Sequence, residues 1–280
     1  PSRGYRLEML DVQPIQGGGP VRAMRGALIA ARATWRARRL VKELAPAAVL
    51  SVGGYAAGPM ALASALSGAP LAILEPNGVL GLANRLLAPI AKRAYVAWPD
   101  VGARMAARIV RPLGVPLRDG FDASPYRATE RARVLIMGGS QGARAINDAI
   151  PEALARVAAG GTAPTRIEIL HQSGRGQEDA LRAKYDALGL RADVRAFLDD
   201  VPGELARADL VVARSGAGAV AEIAAVGRAA IFIPFPFAAD DHQRSNAESL
   251  SKNGAAVCVV QKDATPARLA EEIGALLGDR

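Results

Sequence analysis

The residues best suited to chemistry lie between Asp209 and Asn246. An apolar run, Leu210-Val211-Val212-Ala213, leads into Arg214-Ser215-Gly216-Ala217-Gly218-Ala219, with Glu222 one helical turn further on. A second apolar run, Ala230 to Pro234, precedes Asp240-Asp241-His242-Gln243 and Asn246. A strand, a small-residue turn and a helix start bring backbone N–H groups together in a way that suits a phosphate. A carboxylate one turn inside that helix suits a pair of sugar hydroxyls. If both runs are strands of one parallel sheet, their turns emerge at the carboxyl ends, where open α/β sheets bind ligands. The expectation is a site for a polar, phosphorylated molecule.

Further loops extend that expectation. Gly138-Gly139-Ser140-Gln141-Gly142-Ala143-Arg144 follows the run Val134 to Met137 and opens a helix. Its amides can converge on a diphosphate, with Ser140 adding a hydroxyl donor. No Gly-Lys-Ser/Thr follows, so it is not a P-loop, and it lacks the Gly-x-Gly-x-x-Gly pattern of dinucleotide enzymes. Gly53-Gly54-Tyr55-Ala56-Ala57-Gly58-Pro59 is the matching device in the first half, and Glu75-Pro76-Asn77-Gly78 is a turn after a strand. Glycine loops in both halves suit two phosphorylated ligands held across a cleft, hence group transfer from an activated donor to an anionic acceptor. His171 and His242 lie far apart with no cysteine partner, so no metal site is expected.

The elements that must position these loops follow from periodicity. At 280 residues and 50% apolar, with strands alternating with helices, the chain fits two α/β domains. Pro and Gly density peaks between Arg111 and Gly120, so the boundary is expected near residue 120, giving domains 1–120 and 121–280. The charge changes sign there. Through Arg118 there are 16 Lys/Arg against 5 Asp/Glu, and after it 19 against 22. The first domain is therefore expected to face something anionic, a phospholipid surface or an acidic substrate. Nucleic acid is disfavoured, because aromatic content is 4% and no nucleic-acid-binding motif is present.

A helix is expected from Val21 to Ala45, with Met24, Leu28, Ala31 and Trp35 on one side and seven basic residues (Arg22, Arg25, Arg32, Arg36, Arg38, Arg39, Lys42) against Glu43 alone. Two readings stand: a membrane-surface helix, or a solvated basic face over a core-facing stripe. Leu44 to Leu74 carries no charge, but Pro46, Gly53, Gly54, Gly58, Pro59, Gly68 and Pro70 break it into a buried βαβ unit, not a membrane span. Cys258 sits in an apolar run and reads as a core thiol in a reducing compartment.

Taken together in this order, Gly138 to Ala143, His171-Gln172-Ser173-Gly174, Arg214-Ser215-Gly216-Ala217 with Glu222, Asp241-His242-Gln243 with Asn246, Gly53 to Pro59, and Glu75-Pro76-Asn77-Gly78 resemble the MurG family. These are GT-B glycosyltransferases of the family 28 type, which move GlcNAc from UDP-GlcNAc to lipid I at the cytoplasmic membrane face to form lipid II. The likeness runs along nearly the whole chain. It implies two Rossmann-like α/β domains with mainly parallel sheets facing a cleft, no cofactor and no metal. Residue by residue, it implies donor contacts from Asn77, Arg118, Ser140, Arg214, Ala217, Glu222, His242 and Gln243. Acceptor-diphosphate contacts are implied from Gly53, Gly54, Tyr55, Gly58 and Pro59. UDP-GlcNAc, lipid I, an anionic membrane surface and other cell-wall synthesis proteins are the implied partners, and the implied location is peripheral, on the cytoplasmic face of the membrane.

The sequence also departs from the family. The family's opening Gly-Gly-x-Gly-Gly-His loop, whose histidine is a proposed base, lies upstream of Pro1, so the expectation is an impaired enzyme or a fragment. Glu75 is the nearest substitute base by position, and a role in orienting its turn is the stronger reading. Pro76 stands where the family has glutamine, and Val115 where it commonly has asparagine. The alternatives are another UDP-sugar GT-B transferase with a lipid acceptor, and a nucleotide-sugar-binding fragment without turnover.

Overall fold

The computed structural model describes residues 4, 7–10, 12, 20–54, 57–139, 142–160 and 167–278. The chain divides into two compact units, residues 1–114 and 115–280.

In the first unit the described elements run α1 (Pro20–Leu44), β1 (Val49–Ser51), α2 (Ala57–Ser67), β2 (Leu71–Glu75), α3 (Leu82–Leu87), β3 (Arg93–Val96), α4 (Pro99–Gly102) and β4 (Val110–Pro112). The sheet is wholly parallel in the order β1-β2-β3-β4. Leu71, Ile73 and Ala94 pack with Ala61, Leu87 and Ile109 to form its core. A parallel sheet must be covered on both faces, which is why these strands read as continuous apolar runs.

Two expectations change here. The loop expected from Gly53 to Pro59 gives way to α2 at Ala57, so Gly58 and Pro59 belong to the first turn of that helix. Pro is tolerated there because its missing N–H has no intrahelical partner to lose. In α1 the buried stripe is Ala33, Ala37 and Val41, while Leu28, Ala31 and Trp35 face solvent. Ala37 and Val41 pack against Ala63 of α2, so the contact face selects small residues that let two helices approach closely.

The second unit contains β5 (Ala132–Met137), α5 (Arg144–Ala159), β6 (Ile167–Gln172), α6 (Glu178–Ala187), β7 (Ala192–Arg195), α7 (Val201–Arg207), β8 (Leu210–Ala213), α8 (Ala217–Val226), β9 (Ala229–Phe232), α9 (His242–Ser251), β10 (Val257–Cys258) and α10 (Pro266–Gly278). All six strands are parallel, in the order β7-β6-β5-β8-β9-β10. Counted within the unit this is 3-2-1-4-5-6, the doubly wound order whose direction reverses between its first and fourth strands. One core holds alternate strand residues (Val134, Ile136, Leu210, Val212, Ile231) against Ile146, Ile150 and Leu154 of α5 and Leu269, Ile273 and Leu277 of α10. Fully burying a side chain of this size contributes about 1.5–3 kcal/mol.

β6 runs on through His171 and Gln172, the first two residues of the His171-Gln172-Ser173-Gly174 motif. Both are buried, and Asn147 of α5 and Tyr185 of α6 supply polar partners for His171. Among the described residues, no helix is long and apolar enough to cross a membrane.

Candidate functional site

The reversal of strand order creates the site. Met137 ends β5 and pairs directly with Ala213, which ends β8. Met137 also pairs with Gln172 of β6, and Ala213 with Phe232 of β9. Four loops therefore leave one edge of the sheet side by side. These are residues 138–143, 173–177, 214–216 and 233–241.

Helices begin at all four loops, and at the starts of α5 and α8, which follow the adjacent strands β5 and β8, no side chain among the described residues supplies a cap. The cap residue of α5 is Ala143 and that of α8 is Gly216; neither first turn contains an acid. Open N–H groups at the positive ends of two helix dipoles form a place for an anion, and on adjacent strands they can serve two phosphates of one molecule. Gly142 has φ +73°, and a Cβ there would lie 2.2 Å from the Ser173 carbonyl oxygen. Only glycine fits that approach. Gly142 N–H donates to Gly139 O, closing the turn. Ser140, expected at the diphosphate, and Gln141 lie outside the described residues.

Glu222 projects from α8 with 19% of its side chain exposed, and Arg118 Nη2 lies 3.4 Å from its Oε1. Two of the expected donor residues thus meet within this unit. Arg118 itself is largely exposed and stacks 5.5 Å over Phe121, so this ion pair contributes little to stability.

Arg214 is turned toward the protein. Its guanidinium donates to the carbonyls of Ile233 and Pro234 and to Gln261 Oε1, and sits 5.6 Å over the Phe235 ring. Burial pushes its pKa down. Ala217 is the first residue of α8. Asn246, buried in α9, donates from Nδ2 to Ser215 O and ties the β8 turn to α9. The Ser215 hydroxyl is buried with no hydrogen-bond partner among the described residues.

At the start of α9, Gln243 Oε1 accepts from Phe235 N–H at 3.0 Å, and His242 Nδ1 donates to Ala239 O at 2.7 Å. Asp240 and Asp241 both take positive φ, 51° and 50°. Consecutive non-glycine residues in that region cost about 1–3 kcal/mol each and concentrate at functional loops. The residues expected to hold a sugar therefore sit on a strained connection.

Behind the loop of residues 138–143 runs a polar chain that sequence reading did not assemble. His171 is fully buried. Its Nδ1 meets Tyr185 Oη at 2.8 Å and its Nε2 meets Asn147 Oδ1 at 3.1 Å. Asn147 Nδ2 donates to Ser173 O and to Gln177 Oε1. Burial lowers the His171 pKa from 6.5 to about 3, and it raises that of Tyr185. A folded-state pKa below the unfolded value means stability that is complete above about pH 6.5 and lost as pH falls toward 3. At about 1.4 kcal/mol per pH unit, His171 should withdraw roughly 2 kcal/mol between pH 7 and pH 5. Urea midpoints at the two pH values should show that drop, and His171→Gln should flatten it.

In the first unit Gly53 and Gly54 have φ of +85° and +80° and precede α2. Tyr55 lies outside the described residues. Glu75, at the end of β2, is 2% exposed. Its Oε1 accepts from Asn77 N–H and Asn77 Nδ2, and its Oε2 from Gly81 N–H and Asn84 Nδ2. The carboxylate is the hub of the loop that presents Asn77. Asn84, whose part in this hub sequence reading missed, carries no local signal, since its partner lies nine positions earlier.

Residues 133–280 match the glycosyltransferase family 28 C-terminal domain, and residues 1–96 match the family's N-terminal domain. The chain belongs to glycosyltransferase family 28. Within the family it is 52% identical, over 98% of its length and 68% of the relative's, to a protein of Sorangium cellulosum (strain So ce56). That relative is named UDP-N-acetylglucosamine–N-acetylmuramyl-(pentapeptide) pyrophosphoryl-undecaprenol N-acetylglucosamine transferase. A protein of the same name from Aeromonas hydrophila is 42% identical over all of this chain and 76% of its own. The crystal structure of Acinetobacter baumannii MurG superposes with a TM-score of 0.76 at 33% identity, covering 95% of this chain and 74% of that one. The GT-B family 28 fold expected from the sequence is the fold found.

Proposed function

We propose that the chain is an inverting, metal-independent transferase moving GlcNAc from UDP-GlcNAc to lipid I, undecaprenyl-pyrophosphoryl-MurNAc-pentapeptide, to form lipid II in peptidoglycan synthesis. The observation that carries this is 52% identity over 98% of the chain with a transferase of that name. The paired, uncapped helix starts of α5 and α8 support the donor half.

In this reading the donor diphosphate lies at those two starts, with the Ser140 hydroxyl and Arg118 beside it. Ala217 and Arg214 line the nucleotide. Glu222 accepts from the two ribose hydroxyls. Gln243, whose Oε1 is held by Phe235 N–H, offers its amide N–H groups to GlcNAc hydroxyls, with His242 next to it. Asn77, oriented by Glu75, serves the donor sugar, while Gly53, Gly54, Tyr55, Gly58 and Pro59 receive the acceptor diphosphate. The acceptor's sugar hydroxyl attacks the anomeric carbon as its bond to UDP breaks, so configuration inverts. Charge grows on the departing diphosphate, where fixed amide dipoles stabilise it without reorganising. A general base would add about 10²- to 10⁴-fold. Glu75 is an orienting group here, since both its oxygens already accept hydrogen bonds.

The test is incubation with UDP-GlcNAc and lipid I, followed by mass and anomeric analysis of the product. A β-linked lipid-linked disaccharide is expected. Transfer to another acceptor, or an α linkage, would contradict the reading. Donor binding with no consumption would favour a binding module.

We also propose an anionic membrane surface as the partner of α1, and a peripheral location on the cytoplasmic face, where other cell-wall synthesis proteins would be met. Ala31, Thr34, Trp35, Arg38, Leu62 and Leu66 line an apolar groove on α1 and α2, with Trp35 58% exposed. Arg38 lies 5.7 Å over the Trp35 ring, and Arg32, Arg36 and Arg39 are exposed around it. Apolar side chains within a basic rim fit acyl chains and anionic headgroups. Trp35→Ala with Leu66→Asp should weaken binding to phosphatidylglycerol vesicles about tenfold or more, at about 1.5–3 kcal/mol per lost apolar side chain. Unchanged sedimentation with vesicles would refute this partner.

A further inference from the structure

The buried chain Tyr185–His171–Asn147 has no part in the transfer step, yet it ends against the phosphate loop. Its hydrogens can be placed by elimination. Asn147 Nδ2 donates both hydrogens, to Ser173 O at 2.9 Å and Gln177 Oε1 at 3.0 Å. The atom facing His171 is therefore Oδ1, which can only accept, so Nε2 carries the proton and Nδ1 accepts from the Tyr185 hydroxyl. A neutral imidazole in one tautomer thus fixes which way the Asn147 amide points.

That amide holds two structures together. Asn147 sits one turn into α5, whose start is one of the two open anion sites. The turn it grips, Ser173 to Gln177, is the surface on which Gly142 rests: a Cβ at Gly142 would meet Ser173 O at 2.2 Å and Gln177 Nε2 at 2.7 Å. Ser173 is anchored from the other side by bonds from its N–H and Oγ to Arg195 O of β7. The entry to α5 is therefore wedged between its own first turn and a turn that Asn147 keeps in place.

We infer that His171 is a positioning residue for the donor's diphosphate: acting through Asn147, it sets the entry to α5 against the Ser173–Gln177 turn. The inference rests on the donor-site reading above. The nucleoside part, served by Glu222 on α8, does not depend on this bracket. Loss of the bracket should cost affinity for the phosphates and leave that for the nucleoside intact. A residue that merely stabilised the fold would not separate the two.

The experiment measures UDP and uridine binding by titration, using calorimetry for the first and NMR line shifts for the second. It compares the wild type, His171→Phe and Tyr185→Phe. His171→Phe fills the space but removes both hydrogen bonds and should weaken UDP about tenfold or more, with uridine changed less than about twofold. Tyr185→Phe leaves the Nε2–H bond to Asn147 and should change both by less than about threefold. Should His171→Phe fail to fold, Gln177→Leu reads the same bracket from its more exposed end, with the same selective loss expected. Equal losses for UDP and uridine, or no loss for either, would overturn the positioning role. Wild-type protein that bound UDP no better than uridine would instead overturn the donor-site reading.

Discussion

Replacing Glu222 with alanine is expected to weaken UDP binding by about 10²- to 10⁴-fold, from two lost hydrogen bonds to a charged acceptor at about 1.5–3 kcal/mol each. Among the described residues the Glu222 carboxylate has only a 3.4 Å contact with a largely exposed Arg118, so little must be given up for hydroxyls to replace it. The cause can be isolated with 2′-deoxy-UDP. Wild-type protein should bind it clearly less tightly than UDP, while Glu222→Ala should not distinguish the two, because the group that reads the 2′-hydroxyl is gone. Because Glu222 lies on the second turn of α8 and is partly exposed, the substitution should leave thermal stability nearly unchanged. A mutant that still discriminated between the two nucleotides would place the ribose elsewhere.

The largest stability effect is expected at Glu75. Each carboxylate oxygen accepts two N–H bonds, Oε1 from Asn77 and Oε2 from Gly81 and Asn84. Glutamine matches the shape but not the chemistry, since either orientation of its amide sets an NH₂ group against two donors. With the site 2% exposed, no water can replace the lost acceptor, and Glu75→Gln should cost about 3 kcal/mol or more. Urea unfolding of the two proteins measures this. If Glu75 acted as a base instead, the same substitution would leave unfolding unchanged and remove only turnover.

Much of this was legible in the chain because the signals are local. The runs Val134 to Met137 and Leu210 to Ala213 are apolar, end in glycine-bearing turns and precede helices, so strand, loop and helix could be read without partners. That these two strands are neighbours could not, because β5 and β8 are brought together by a crossover that leaves no local trace. The same holds for polar groups satisfied at a distance. His171 is satisfied by Asn147 of α5 and Tyr185 of α6, and Asn246 by Ser215 O, partners all distant in sequence. On α1, spacing and size pointed to a stripe containing Leu28, Ala31 and Trp35, and the structure leaves those three exposed. Close packing against α2 requires small side chains, which leaves Trp35 and Leu28 outside. β4 was missed because its three residues are largely exposed and end in proline.

The central claim is a UDP-GlcNAc site at the carboxyl edge of the six-stranded sheet. Its most direct test is calorimetric titration of the protein with UDP-GlcNAc, UDP-glucose and GDP-mannose, repeated with Glu222→Ala. Tight binding of UDP-GlcNAc, weaker binding of UDP-glucose, none of GDP-mannose, and loss of the first in the mutant is the predicted result. Folded protein that bound GDP-mannose as well as UDP-GlcNAc, or that kept its UDP-GlcNAc affinity without Glu222, would contradict it.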